Sequence, residues 1–369
     1  MDFSFSEEQE TVGKVARQLF EHRATPEHLT ELESGEVRFD PALWGELASS
    51  DLLGIALPEA VGGSGGGFLE LGVLLAELGW SVAPVPLYAT LAIGADTIAR
   101  HGDSELHQRY LPGVVDGSTI LTAALAEPGN SDPTAPRTTA QRDGDSWVLA
   151  GTKELVPAAQ LANAIVVSAQ TDDGPGLFVV DTDTIGVDVQ AVPTTNGDPH
   201  ADVTFTAAVG RRLDAEVGAD PVGALHTRAL VGLCAIQVGV AERALRLAAS
   251  YTSEREQFGR PIGSFQAVQQ RMADAFIDVE AIRWTTWHAA WLIAEGRDAD
   301  RAAAIAKFWA AEAGARVTAT AQQVHGGMGI DVTYPLSRYF LWAKQLELSL
   351  GSASQQLARL GSAYSEGSK

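Results

Sequence analysis

Between residues 119 and 215 the hydrophobic pattern of this 369-residue chain changes period, and no other feature limits its possible folds so strongly. Before that window, from about residue 5 to 118, apolar residues recur at helical spacing, as in 69–80 and 87–101. Ser6 stands where it can cap a helix whose first turn carries Glu7 and Glu8. The Pro- and Gly-rich stretch 58–67 reads as a loop. Inside the window, short apolar runs at 120–123, 147–149, 164–167 and 177–180 alternate with Asp, Gly and Pro. After it, helical spacing returns in four long segments, roughly 220–251, 265–295, 299–324 and 335–360. No helix-length segment separates the short runs, which predicts a small, largely antiparallel β domain and disfavours parallel βαβ units. The expected fold is therefore α+β and mostly α. It has an N-terminal helical domain (1–118), a middle antiparallel β domain (119–215) and a C-terminal four-helix bundle (216–369). Trp284, Trp287 and Trp291, at i, i+3 and i+7, are expected in the core of that bundle.

Charge narrows the partners. Asp and Glu number 47 against 26 Lys and Arg, a formal net charge of −21. A nucleic-acid binder needs basic patches to replace phosphate counterions, and an anionic membrane surface repels such a chain. No nucleic-acid or membrane partner is expected. Cys234 is the single cysteine, so an intramolecular disulfide and a Cys-based zinc site are excluded. It stands in the apolar run Leu230 to Ile236 and reads as a small core residue. The N-terminus shows neither a basic n-region nor an apolar h-region, and charges interrupt the longest apolar stretches. A cytoplasmic location is expected. No G-x-G-x-x-G, Walker A or H-E-x-x-H pattern is complete, and the eight histidines show no metal spacing.

Two segments carry a specific resemblance. One runs Tyr251, four residues to Arg255, two more to Gln257-Phe258-Gly259, then Pro261-Ile262 and Phe265-Gln266. The other is Gln322-Gln323-Val324-His325-Gly326-Gly327-Met328-Gly329, followed by Pro335 and Arg338. Looser matches are Leu57-Pro58-Glu59 with Gly62-Gly63, and Glu127-Pro128 with Ser131-Asp132, followed by Gly151-Thr152-Lys153. In this order they resemble the acyl-CoA dehydrogenases across nearly the whole chain. The resemblance implies FAD as cofactor, an acyl-CoA thioester as substrate and electron-transfer flavoprotein or a similar acceptor. In that family a carboxylate removes the α-proton while hydride passes from Cβ to the flavin.

The residue chemistry agrees with what the resemblance implies for this chain. Arg255 offers a fork of donors suited to pyrophosphate oxygens. Phe258 can pack on an adenine face. Gln266 and Gln323 supply amide groups, and Gly326 and Gly327 admit close backbone approach. Ser352 and Ser354 fall where the family's loop touches FAD.

The same resemblance exposes departures. The family's base is a Glu at one of two positions, which here hold Leu350 and Ala229, and neither side chain can accept a proton. No catalytic residue is assigned in this chain; Glu347 lies nearby as a substitute. The flavin-touching element of the β domain is replaced by Glu154-Leu155-Val156-Pro157, and an Arg-Asp pair by Leu341-Trp342. This asymmetry is similar to the β subunits of actinobacterial heterotetrameric (α2β2) dehydrogenases that shorten steroid side chains, of the 3-oxocholest-4-en-26-oyl-CoA type. There a second subunit supplies the carboxylate. Two other readings stay open: a self-sufficient homo-oligomer with an unusual base, and a non-catalytic scaffold.

Overall fold

The computed structural model describes residues 4–213 and 219–366. The expected boundary at 215/216 lies outside the described residues.

The N-terminal region is helical: α1 (Glu7–Arg23), α2 (Pro26–Glu33), α3 (Pro41–Ser49), α4 (Phe68–Ser81), α5 (Asp96–His101) and α6 (Ser104–Val115), with a π-helical segment Tyr88–Ala95 leading into α5. Ser6 and Gln9 close a reciprocal capping box on α1. Helix α4 is apolar almost all round because it is buried between the remaining N-terminal helices and the bundle.

Seven strands follow: β1 (Leu121–Ala124), β2 (Thr139–Asp143), β3 (Ser146–Pro157), β4 (Ala164–Thr171), β5 (Gly174–Asp181), β6 (Val187–Val192) and β7 (His200–Arg212). Their order is β1-β4-β2-β3-β7-β5, and β5 pairs back onto β4, closing the sheet into a barrel, with β6 added beside β7. Most pairings are antiparallel; β1 and β2 each run parallel to β4. Those parallel contacts need no crossover helix, because the β2–β3 hairpin supplies the excursion. The barrel interior is its own apolar cluster, including Leu149, Ile165, Phe178, Val203 and Phe205.

The C-terminal region holds α7 (Pro221–Glu254), the short strands β8 (Glu256–Gln257) and β9 (Arg260–Pro261), α8 (Gln266–Ala294), α9 (Asp300–His325), α10 (Leu336–Leu348) and α11 (Ala353–Glu366). Asp220 caps α7 and Pro221 opens it. Charge does not break α7 as the sequence suggested: by length and composition it could cross a membrane, but 89% of its most apolar window is buried inside the protein. Cys234, within it, is buried in the core and its thiol is pushed up to about 12 by that burial. Helices α4 and α7 meet through glycines. A side chain on Gly79 would collide with the Ile236 carbonyl, and one on Gly239 with that of Ala76. The N-terminal helices and the bundle thus share one core, while the barrel keeps another.

Two expectations need correction. The fourth bundle segment is two helices, α10 and α11, broken at residues 349–352. The Trp stripe does not form the core: Trp284 and Trp291 are exposed and Trp287 half-buried. The buried face of α8 carries Ile282, Thr286, Ala289, Ala290 and Ile293 instead. Helical spacing identifies a stripe but not the side it faces, and small residues let α8 pack closely on its neighbours.

Candidate active site

The barrel, the N-terminal helices and the bundle enclose a cavity of about 910 Å³ at their junction. Its apolar wall includes Leu78, Ile93, Leu233 and Ile236, and Leu350 lines it too. That size suits a small-molecule site.

Leu350 occupies the break between α10 and α11 with φ +52°, a conformation unfavourable for a leucine. Three hydrogen bonds from two side chains hold it there. The Lys307 ammonium, fully buried on α9, donates to the carbonyls of Glu347 (3.1 Å) and Gly351 (2.9 Å). The Gln356 amide donates to the Leu350 carbonyl at 3.2 Å. Burial pushes the Lys307 ammonium down to about 8, against the pull of Cys234 and Glu347. Position 350 is therefore a built loop that presents an isobutyl group at the cavity wall. Ala229 is buried in α7 and its carbonyl accepts from the Tyr88 hydroxyl at 3.2 Å.

No candidate carboxylate replaces them. Glu347 is ion-paired with Lys344 and is not part of the cavity wall. Asp132 is exposed and caps its own loop, and Asp198 pairs with Arg38. Glu154 is half-buried on β3, in the element that departs from the family. Among the described carboxyls, Glu77 is the one pushed up, by burial against the pull of its Arg17 partner. It borders a separate hollow beside Trp80 and Trp287. A base for an α-proton needs a desolvated carboxylate beside the substrate, and none is found here among the described residues.

Other polar groups of the wall escape sequence reasoning. His226, on α7, is buried, and its Nδ1 accepts from the Arg359 guanidinium at 2.9 Å. Burial and the nearby Arg359 charge push the imidazole down to about 3, so it is neutral with its hydrogen on Nε2. That Nε2 has no protein partner, nor has the Trp342 indole Nε1 or the Gln356 Oε1. Lys307 alone carried a sequence signal, as a lone cation in the alanine run 302–311. The others depend on packing that no local pattern reports.

A second cluster lies at the far end of the bundle. Register pairs Gln257 with Arg260, so Phe258-Gly259 forms a two-residue hairpin turn with φ +55° and +78°. Phe258 is 93% exposed at the tip, strained for an aromatic residue, and meets Phe265 edge to face at 6.1 Å. Arg255 caps the C-terminus of α7 and is exposed, as is Gln266 at the start of α8. Tyr251 stacks on His325 at 4.3 Å, and the His325 ring also contacts the Tyr334 hydroxyl at 3.2 Å. This packing joins the hairpin to the turn after α9. Gly326 there has φ +59° and ψ −131°, a glycine conformation, and a side chain at Gly326 or Gly327 would meet only open space. Exposed Gln323 precedes them.

The structure thus brings Arg255, Phe258, Gln266, Gln323, Gly326 and Gly327 to one outward-facing end. Ser352 and Ser354 are not with them. Their hydroxyls lie 3.1 Å apart beside the cavity, near Lys307. The 19 helical steps of α9 and its cap from Lys307 to Gly326 span about 28 Å.

Comparison with known proteins agrees with this architecture. Residues 6–118 match the acyl-CoA dehydrogenase N-terminal domain, 122–208 the middle domain and 224–364 the C-terminal domain. The chain belongs to the acyl-CoA dehydrogenase family, oxidoreductases that use FAD. It is 41% identical over 378 residues to acyl-CoA dehydrogenase FadE27 of Mycobacterium tuberculosis, covering 99% of each chain. Among solved structures it is similar to a variant of the Tcur3481-Tcur3483 steroid ACAD (47% identity, TM-score 0.94), covering 98% of this chain and 99% of that one. It is likewise similar to the ChsE4-ChsE5 complex from Mycobacterium tuberculosis (41% identity, TM-score 0.94), covering 99% of each.

Proposed function

We propose that this chain is the β-type subunit of an α2β2 FAD-dependent acyl-CoA dehydrogenase that desaturates a bulky, steroid-derived acyl-CoA, with the carboxylate supplied by a different subunit. The observation that carries this reading is Leu350, set at the family's base position and pointing no proton acceptor at the cavity. The relatives described as a steroid ACAD and as a two-component complex support the substrate class and the partner.

On this reading the work of the chain is done at its outward end. Arg255 binds pyrophosphate, Phe258 packs on adenine, and Gln266, Gln323, Gly326 and Gly327 complete the contact with a flavin seated mainly in the partner. Their exposure fits a ligand that arrives from outside the chain. When bound, FAD would supply the acceptor for the Cβ hydride, with electron-transfer flavoprotein or a similar protein as the onward electron acceptor. Ser352 and Ser354, beside the cavity but outside its wall, would contribute less to FAD binding. With domain limits of 1–118, 119–215 and 216–369, this reading assigns flavin binding and assembly to the last domain.

The test is reconstitution. The chain and a catalytic-Glu-bearing dehydrogenase subunit are purified separately and assayed with a steroid side-chain CoA thioester, alone and mixed. Turnover in the mixture only is expected. Turnover by this chain alone would overturn the reading.

A further inference from the structure

The cavity has lost a base but is not a filled or a featureless space. Its wall keeps three buried donors without hydrogen-bond partners, the Nε2–H of His226, the Nε1–H of Trp342 and the Nε–H of Arg38, whose guanidinium is otherwise paired with Asp198. Buried donors are ordinarily satisfied, so each points to a group absent from the chain. Three non-glycine residues of the wall, Leu155, Ala158 and Leu350, have positive φ, and such backbone strain concentrates at ligand sites. Charge says what the ligand is not. The wall has two permanent cations, and both are engaged: Arg38 with Asp198 and Arg359 with Asp300. Asp132 and Glu154 add negative charge at the wall. A polyphosphate finds no free cation among these residues and meets carboxylates instead.

We infer that this cavity binds an uncharged, largely apolar molecule bearing carbonyl or ester oxygens, which accept hydrogen bonds from His226 and Trp342, and that it does not turn this molecule over. The cavity is then a ligand site in its own right, separate from the flavin contact at the other end of the bundle. The inference rests on the proposed function in one respect, that no flavin ring fills the cavity of this chain.

The test uses the full chain and a neutral aminonaphthyl ketone whose emission shifts to the blue in apolar surroundings and responds to hydrogen bonding at its carbonyl. Saturable one-to-one binding with a blue shift is expected. His226→Phe, which keeps a ring but removes the donor, should weaken binding at least fivefold. Leu233→Trp, which fills the cavity, should abolish it, with thermal melts confirming that both variants fold. A methyl ester of a bulky carboxylic acid should displace the probe at least tenfold better than the CoA thioester of the same acid. Absence of saturable binding, binding indifferent to both variants, or stronger displacement by the thioester would each overturn the inference. Flavin absorbance on the same sample separates the two claims. One flavin per chain defeats the proposed function; a flavin-free chain that ignores the probe defeats only this inference.

Discussion

The cavity and the outward end of the bundle have kept opposite things. The cavity keeps its architecture: Lys307 and Gln356 still fasten the loop that would carry a base, and position 350 still has its strained backbone. Its loop presents a leucine, which cannot accept a proton. The outward end keeps its chemistry, with Arg255, Phe258, Gln323 and two glycines in place, yet nothing in the chain covers them. A loop fastened by a buried lysine costs folding stability when altered, so it persists for the fold's sake. An exposed arginine and a strained exposed phenylalanine contribute little to folding and make sense through a ligand. On the proposed reading, the difference separates residues that serve stability from residues that serve binding.

The largest expected effect is at the outward end. In the assembled complex Arg255→Ala should lower flavin retention about 10- to 100-fold, from the loss of about 1.5–3 kcal/mol of charge-assisted hydrogen bonding. Its melting temperature alone should stay put. Unchanged flavin retention and turnover would favour the scaffold reading.

Lys307→Met makes the reverse test at the cavity. It should destabilise the chain by about 1–3 kcal/mol at pH 7, because two half-buried carbonyls lose their donor. The sign of the pH dependence is fixed by burial, which lowers the ammonium from its ordinary range to about 8. A lysine whose folded value is lowered costs stability fully below about pH 8, and that cost disappears as pH rises toward its unfolded value of about 10.4. The penalty of Lys307→Met, from urea melts, should therefore be greater at pH 9.5 than at pH 7. Lys153 is also lowered to about 8 by burial, but it is common to both proteins and cancels in the difference. A gap that shrinks with pH would contradict a buried, charged Lys307.

Phe258→Gly should sharpen the contrast further. It removes positive-φ strain of about 1 kcal/mol, so the isolated chain should be equally or more stable while the complex binds flavin more weakly. Loss of stability would mean that Phe258 serves the fold. The smallest effect belongs to Glu347→Gln, expected to leave turnover of the complex within about twofold, since its carboxylate is engaged by Lys344. A large fall would restore Glu347 as a base.

Much of the fold was legible because period carries it. The four apolar runs at 120–123, 147–149, 164–167 and 177–180 overlap or fall within β1, β3, β4 and β5. Strands β2, β6 and β7 were not singled out; β2 and β6 are short and mostly solvent-facing, and their apolar signal is weak. The break at 349–352 escaped because residues on both sides keep helical spacing, although Gly351 and Ser352 are turn-forming types. The outward cluster was readable from Arg255 to Gly327 because its residues lie in two short contiguous segments. His226 and Trp342 were not, because an unpartnered buried donor is a property of packing between α7, α10 and the barrel, which no single segment encodes.

The most direct measurement is the ratio of FAD to chain, by absorbance, for this protein purified alone and after co-expression with a catalytic-Glu-bearing dehydrogenase subunit. The account predicts little flavin on the chain alone and about one flavin per two chains in the α2β2 complex, each set by the outward contact of Arg255 and Phe258. One flavin per chain in the protein alone would contradict it and place a complete site within this chain.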